Sequence, residues 1–297
     1  MNRLDDLQLF VEAARQGSLS GAARILGRTP AVASASLKRL ETQLRVKLVE
    51  RNTRNLRLTP EGTLFLDKVA QGLTLLEDAQ QVVRHDCAEI SGEIRLTASV
   101  DLARQWIMPL MDEFQSVHPQ VYFTLLAGDA VRDLVLEPLD LALRYGELPD
   151  SALVARRLLN NRRMLVASPS YIERHPPLLH PQDLLHHNCL IFQSQERAYR
   201  RWAFHQGSDA VVVEVKGDRV CNDGSLVREW ALLGRGIAYK SHLDVYRDLQ
   251  AGNLVQLLPD WQGDSAPLSA VYPGSGPRPP RVKKFVEFLA QHFKTLE

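Results

Sequence analysis

Cysteine is scarce in this chain: three among 297 residues, Cys87, Cys189 and Cys221, far apart and without a CxxC pair. That excludes a disulfide framework and a cysteine zinc site, leaving three thiols in a reducing compartment. No run of about 18 apolar residues occurs, so no membrane span is expected. The opening stretch "MNRLDDLQLFVEAARQ" mixes acids and polar residues into its apolar ones, unlike a signal peptide, so the protein is expected to be cytoplasmic. There is no G-x-S-x-G elbow, no GxGxxG and no P-loop. The nine histidines are scattered, and the adjacent His186 and His187 lack the spacing that sets two ligands on one helix face, so they read as surface or loop residues. These absences predict neither an enzyme nor a cofactor or metal protein. Net charge is also nearly missing, at +1.

That small total conceals an uneven distribution. Residues 1–60 hold 11 Lys/Arg against 5 Asp/Glu, leaving 25 against 30 for the remainder. A basic head on a mildly acidic body is the pattern of a nucleic-acid reader joined to something else. With 45% apolar residues over this length, there is material for two or three domains.

Leu4, Leu7, Phe10, Val11 and Ala14 are spaced as one helical stripe that Gly17 ends. Ser20 is read as the cap of a second helix that stops near Gly27, and Pro30 falls in the first turn of a third. Three helices with such short turns form a helix-turn-helix unit. In the third, "AVASASLKRLETQL", Ala33, Leu37, Leu40 and Leu44 share the buried face. Its other positions are small enough to let the backbone sink into a major groove about 12 Å wide. "RVKLVERNTRNLRL" then places Arg51, Arg54 and Arg57 in a hairpin-like basic wing suited to phosphate. Thr59 as N-cap and Pro60 at the first position open a long helix. Its narrow seam of Leu66, Val69, Leu73, Leu76, Ala79 and Val83 predicts helix-to-helix dimerisation, with close packing or a bend at Gly72.

From "SGEIRLTAS" onward strands alternate with helices: "EIRLTA", a helix through Trp106 to Phe114, "VYFTLLA", a helix near 129–136, "DLALR", "RRMLVAS", "CLIF", "AVVVEV" and "GIAY". This predicts an α/β half of two subdomains. "YPGSGPRPPR" at 272–281 reads as an exposed loop before a last helix with Val282, Phe285, Phe288 and Leu289 on its apolar side. Ser99, Val100 and Asp101 follow a strand and precede a helix, where free amides favour a carboxylate ligand; the alternative is that Ser99 only caps the helix. Gly128 and Asp129 close the next strand in the same way.

The stretches "LQLFVEAARQGSLSGAARILGRTPAVASASLKRLETQL" and "LVERNTRNLRLTPEG" resemble the winged helix-turn-helix of LysR-type transcriptional regulators. "DLALRYGELPDSALVARRL", "VASPSYIERHP", "CNDGSLVREWALLGRGIA" and "LVQLLPDW" resemble that family's effector half, most closely the branch of malate-type dicarboxylate and virulence regulators. The resemblance implies an all-α winged reader over residues 1–59, a linker helix over 60–90 and an α/β effector domain of periplasmic-binding-protein type over 91–297. Within the last, subdomain 1 is expected at about 91–162 and 267–297, and subdomain 2 at about 163–266. It further implies dimers and tetramers on a partly palindromic operator in double-stranded DNA, with RNA polymerase as a candidate partner. The expected DNA-facing set is Ser18, Ser20, Thr29, Pro30, Val32, Ser34, Ala35, Ser36, Lys38, Arg39, Arg51, Arg54 and Arg57. Ala35 departs from the Arg or Gln common in the family. The expected effector set is Ser99, Val100, Asp101, Gly128 and Asp129, with Phe192, Asn222 and Asp223 matching positions that line the family's cleft. A small carboxylate is the expected effector, Cys221 beside the cleft is read as a buried, inert thiol with oxidation sensing as the alternative, and for the whole chain a solute-binding or sensor protein without operator specificity is the alternative.

Overall fold

The computed structural model describes residues 3–51, 56–83, 90–129, 139–146, 153–194, 197–273 and 278–296. The chain forms two compact units, residues 1–87 and 88–297.

The first unit opens with α1 (Leu4–Gln16), α2 (Leu19–Ile25) and α3 (Pro30–Leu44). Gly17 ends α1 in the left-handed region at φ 58°, a conformation open to glycine without strain. The stripe of α1 keeps Leu7, Phe10 and Val11 on the core as expected and differs at its ends. Leu9, Phe10, Val11 and Ala13 are buried, while Leu4 is 43% exposed. The reason is Asp6, which turns inward with them to meet α3. Ser18 rather than Ser20 caps α2, its Oγ accepting from the Gly21 amide at 3.2 Å. Strands β1 (Val49–Arg51) and β2 (Leu56–Leu58) form the antiparallel hairpin, with Glu50 opposite Arg57. Thr59 begins α4 (Pro60–Val83) by accepting from the Gly62 amide at 2.9 Å. Any Cβ on Gly62 would lie 2.0 Å from the Leu48 carbonyl oxygen, so glycine lets the helix start directly on the hairpin. Phe65 and Leu66 then join the core of Phe10, Leu37, Leu40 and Leu48. Further along, Leu75 and Leu76 are exposed, and nothing lies within 4 Å of a Cβ on Gly72.

In the second unit, β3 (Gly92–Ala98) leads into α5 (Val100–Leu102), a π-helical turn (Ala103–Ile107) and α6 (Met108–Val117). Next come β4 (Val121–Ala127), β5 (Leu141–Tyr145) and β6 (Leu153–Leu159); the helix expected near 129–136 falls almost wholly outside the described residues. There follow β7 (Arg163–Ala167), α7 (Pro169–Ile172), a 3-10 turn (Pro181–His186), β8 (Cys189–Ser194), β9 (Arg197–Ala198), β10 (Arg201–Gln206), β11 (Asp209–Glu214) and β12 (Arg219–Cys221). The chain closes with α8 (Gly224–Leu232), β13 (Ile237–Ser241), α9 (His242–Gln250), β14 (Val255–Leu257), β15 (Gln262–Gly263), β16 (Leu268–Pro273) and α10 (Pro280–Lys294).

Two lobes result. One holds the sheet β4-β3-β5-β16-β6, with Phe114, Phe285, Leu289 and Phe293 in its core. The other holds β12-β8-β13-β7-β14 and a small sheet β11-β10-β15. The chain crosses between lobes twice, and the crossings are bonded: Arg163 N–H to the Asp264 carbonyl at 2.9 Å and Ala266 N–H to the Asn161 carbonyl at 2.8 Å. Buried Asn161 knots them, its Nδ2 donating to Ser241 Oγ and to the Ala266 carbonyl at 2.8 Å each. The expected exposed loop at 272–281 is corrected at both ends: Tyr272 is buried in β16, which runs to Pro273. Arg281 already lies in α10, is buried, and donates from Nε to the Glu93 carbonyl at 2.6 Å. His187 is likewise buried, 3.3 Å from the Tyr171 hydroxyl, not a surface residue.

Candidate functional site

In the first unit, Thr29 caps α3 with its hydroxyl 3.4 Å from the Val32 amide, and Pro30 follows at the first helical position. Ser20, Thr29, Pro30, Ala31, Val32, Ser34, Ala35 and Lys38 are exposed, and Ser18 is half-buried as the α2 cap. Ser36 is placed differently from the sequence expectation of an outward face, whereas the Arg39 side chain stays 39% exposed. Ser36 is three residues after the buried Ala33 and is itself buried, its Oγ accepting from Arg39 at 3.1 Å. The Arg39 guanidinium makes a bidentate pair with Asp6 at 2.8 and 2.7 Å. That fork also ties α1 to α3. Arg57 is exposed on the hairpin; Arg54 and the Arg51 side chain lie outside the described residues.

Two residues absent from the sequence reading fix this head. Glu41, on α3, is buried and accepts from Lys47 Nζ at 2.7 Å and from the Leu48 and Val49 amides at 2.9 and 3.3 Å, tying the wing to the helix. Asp6 is the other. The hydrogen bond from Arg39 holds its carboxyl below the ordinary value. A carboxyl lowered by folding stabilises the fold above its unfolded value, and that contribution disappears as pH falls through the folded value. Asp6→Asn should therefore lower the melting temperature at pH 7 and converge on wild type only below about pH 4; thermal melts across pH 3–8 check this, and a difference independent of pH would contradict it.

In the second unit, the ends of adjacent parallel strands bring the expected effector residues together. Ala98 is in register with Ala127, so Ser99 and Gly128 leave the sheet side by side. On the other lobe Phe192 is in register with Cys221, and Asn222 and Asp223 follow at once. The carboxyl ends of parallel strands are where open α/β sheets take ligands. The Ser99 Oγ is buried and has no hydrogen-bond partner among the described residues, and Ser99 makes no side-chain cap to the helix it precedes. Val100 and Asp129 are half-buried, Asn222 is exposed, and Phe192 stacks on Tyr199 with centroids 6.0 Å apart.

Asp101 does not line open space. It is buried and accepts from Lys240 Nζ at 2.7 Å, across the lobes. Lys240 also meets Asp244 at 3.2 Å and the Gly224 carbonyl at 2.9 Å. Tyr145 donates to Asp244 at 2.8 Å, and Arg228 forms a fork with Asp248 at 2.6 and 2.9 Å. Trp106, in the π-helical turn, donates to the Leu243 carbonyl at 3.0 Å. Burial opposes the charge on Lys240, but Asp244 and Asp101 outweigh it and hold the ammonium above its usual value. Burial raises the Asp101 carboxyl despite Lys240. Asp129 reaches across to the Gly224 amide at 2.6 Å, and Asp223 takes the Ser225 and Leu226 amides at 2.8 and 3.3 Å. Cys221, read from sequence as buried, is half-buried and receives a bond from the Asp223 amide at 3.4 Å. Cys189 is the buried thiol, pushed up to about 12 by that burial.

Residues 4–63 match the bacterial regulatory helix-turn-helix proteins of the lysR family, and residues 88–294 match the LysR substrate binding domain. An HTH-type transcriptional regulator of Xanthomonas campestris is 33% identical over 96% of this chain and 84% of its own length. The HTH-type transcriptional activator TtdR of Escherichia coli is 35% identical over 96% and 92%. The solved structure of CrgA, a LysR-type transcriptional regulator from Neisseria meningitidis, is 28% identical with a TM-score of 0.64, covering 97% of this chain and 98% of that one. A winged reading head, a two-lobed α/β domain and full-length relatives that regulate transcription agree: the chain belongs to the LysR family of DNA-binding transcriptional regulators.

Proposed function

We propose that the protein reads a partly palindromic operator through Thr29, Pro30, Val32, Ser34, Ala35 and Lys38 of the α3 region, flanked by Ser18 and Ser20, with the wing arginines Arg51, Arg54 and Arg57 on phosphate. Arg39 and Ser36 support this face from behind. The functional divisions are the reader at 1–59, the linker helix at 60–90 and the effector domain at 91–297. The exposed Leu75 and Leu76 of α4, and the open side of Gly72, supply the dimer seam that a two-fold operator needs.

The effector is a small carboxylate held between the lobes by Ser99, Val100, Gly128, Phe192 and Asn222, with Asp223 capping α8 beside it. The observation that carries this reading is that a carboxylate, that of Asp129, already sits on the first amide of α8 across the cleft. Asp101 acts beneath the ligand, through Lys240, rather than on it. A thermal-shift screen against small carboxylates and aromatic acids tests the class, since a ligand at 100 times its dissociation constant adds about 2.7 kcal/mol. The expected result is a saturable rise with at least one carboxylate and none with its methyl ester. A rise with uncharged ligands alone would overturn the carboxylate assignment.

A further inference from the structure

We propose that Asp129 is a built-in occupant of the effector's anion site, so that an effector carboxylate binds by displacing it from the N-terminus of α8. This rests on the carboxylate reading above. All three leading amides of α8 are taken by carboxylates, but by two of different origin. Asp223 is the helix's own N-cap and holds the second and third. The first, Gly224, is held by Asp129 from the opposite lobe, 95 residues away in sequence.

Asp129 sits among groups of both signs. Burial is the main cause that raises its carboxyl above the ordinary value; Asp223 and Asp244 add repulsion, and the Gly224 amide and Lys240 attract it. A bond made against such opposition is replaceable by a carboxylate that brings further contacts of its own. The space is tight at the amide and free at the hinge. A Cβ on Gly224 would stand 3.0 Å from Lys240 Nζ and 3.3 Å from Asp129 Oδ2, whereas a Cβ on Gly128 would meet nothing within 4 Å among the described residues. Asp129 therefore departs by turning about Gly128 without repacking a core. The unpartnered Ser99 Oγ, at the end of the neighbouring strand, is left for the incoming ligand. Effector binding thus exchanges one cross-lobe bond, Asp129 to Gly224, for a bridge made by the ligand, and the loss of that bond is the signal.

Calorimetric titration of the full-length protein with succinate, using dimethyl succinate as the uncharged control, tests the exchange. Asp129→Asn removes the competing charge at nearly constant size and should tighten succinate binding about tenfold or more, the range of a charge-assisted hydrogen bond. Gly224→Pro removes the contested N–H at the first helical position, where proline is tolerated. Added to Asp129→Asn, it should abolish the gain with helix content unchanged by circular dichroism. Equal affinity in wild type and Asp129→Asn would overturn the displacement while leaving a carboxylate site in the cleft. A gain that survives Gly224→Pro would place the carboxylate elsewhere and also overturn it. No succinate binding by any variant would overturn it together with the carboxylate class.

Discussion

Lys240→Met is expected to destabilise the effector domain by about 3–5 kcal/mol, the cost of leaving a buried charge without its partner. Lys240 is fully enclosed and faces Asp101 at 2.7 Å and Asp244 at 3.2 Å. Methionine fills the volume but leaves two buried carboxylates with only Arg228, 3.9 Å from Asp101, and the Tyr145 hydroxyl on Asp244. The pH dependence follows from the same groups. Asp101 already titrates above its usual value through burial, and removing the ammonium raises it further. An acid whose folded value is raised takes its proton more readily in the folded state, so folding gains as pH falls through that value. The deficit of Lys240→Met should accordingly be largest above neutral pH and shrink on acidification. In the wild type, the lysine's own contribution is complete below its ordinary value of 10.5 and is lost only as pH rises through its raised folded value.

All four tryptophans, Trp106, Trp202, Trp230 and Trp261, lie in the effector unit, so urea unfolding followed by their fluorescence reports that unit alone. Measurements at pH 8 and pH 6 are sufficient. A deficit under about 1 kcal/mol would mean that water reaches the pair, as at exposed ion pairs. Asp101→Asn in the Lys240→Met background should recover part of the loss, because the two residues share one interaction.

Local signals were legible in sequence where they follow from short-range rules. Gly17 and Pro30 mark helix ends by backbone conformation alone, and "VYFTLLA" forms β4 over the whole stretch, Val121–Ala127. The edge strand β6 escaped because "LVARRLL" sets two arginines in a row, and residues 154–157 are all exposed. The site was legible only as strand ends. Its partners are separated by 33 residues for Asp6 with Arg39, 95 for Asp129 with Gly224 and 139 for Asp101 with Lys240. No periodicity connects such pairs. Asp101 looked like an obstacle to an anion because its counter-charge comes from the far lobe, and the Arg39–Asp6 pair was invisible because its aspartate stands on a different helix.

Ser34→Glu is expected to weaken operator binding at least about 100-fold at 0.15 M salt, with an unchanged melting temperature. Ser34 is exposed on α3 and its side chain makes no hydrogen bond among the described residues, so the fold does not depend on it. A helix about 10–12 Å across fits a groove about 12 Å wide only when its facing side chains are small. Glutamate adds bulk there, and it adds negative charge next to a duplex carrying one charge per about 1.7 Å of axis. Like charges brought together at an interface cost several kcal/mol. Lys38→Ala, on the same exposed face, should act differently: a modest loss for every sequence and a decrease of about 0.9 in the slope of log affinity against log salt, the mark of one phosphate contact. Fluorescence anisotropy with operator and random duplexes at several salt concentrations separates the two. If Ser34→Glu binds operator within threefold of wild type, α3 is not the element in the groove; if Lys38→Ala leaves the slope untouched, the phosphate contacts lie on the wing alone.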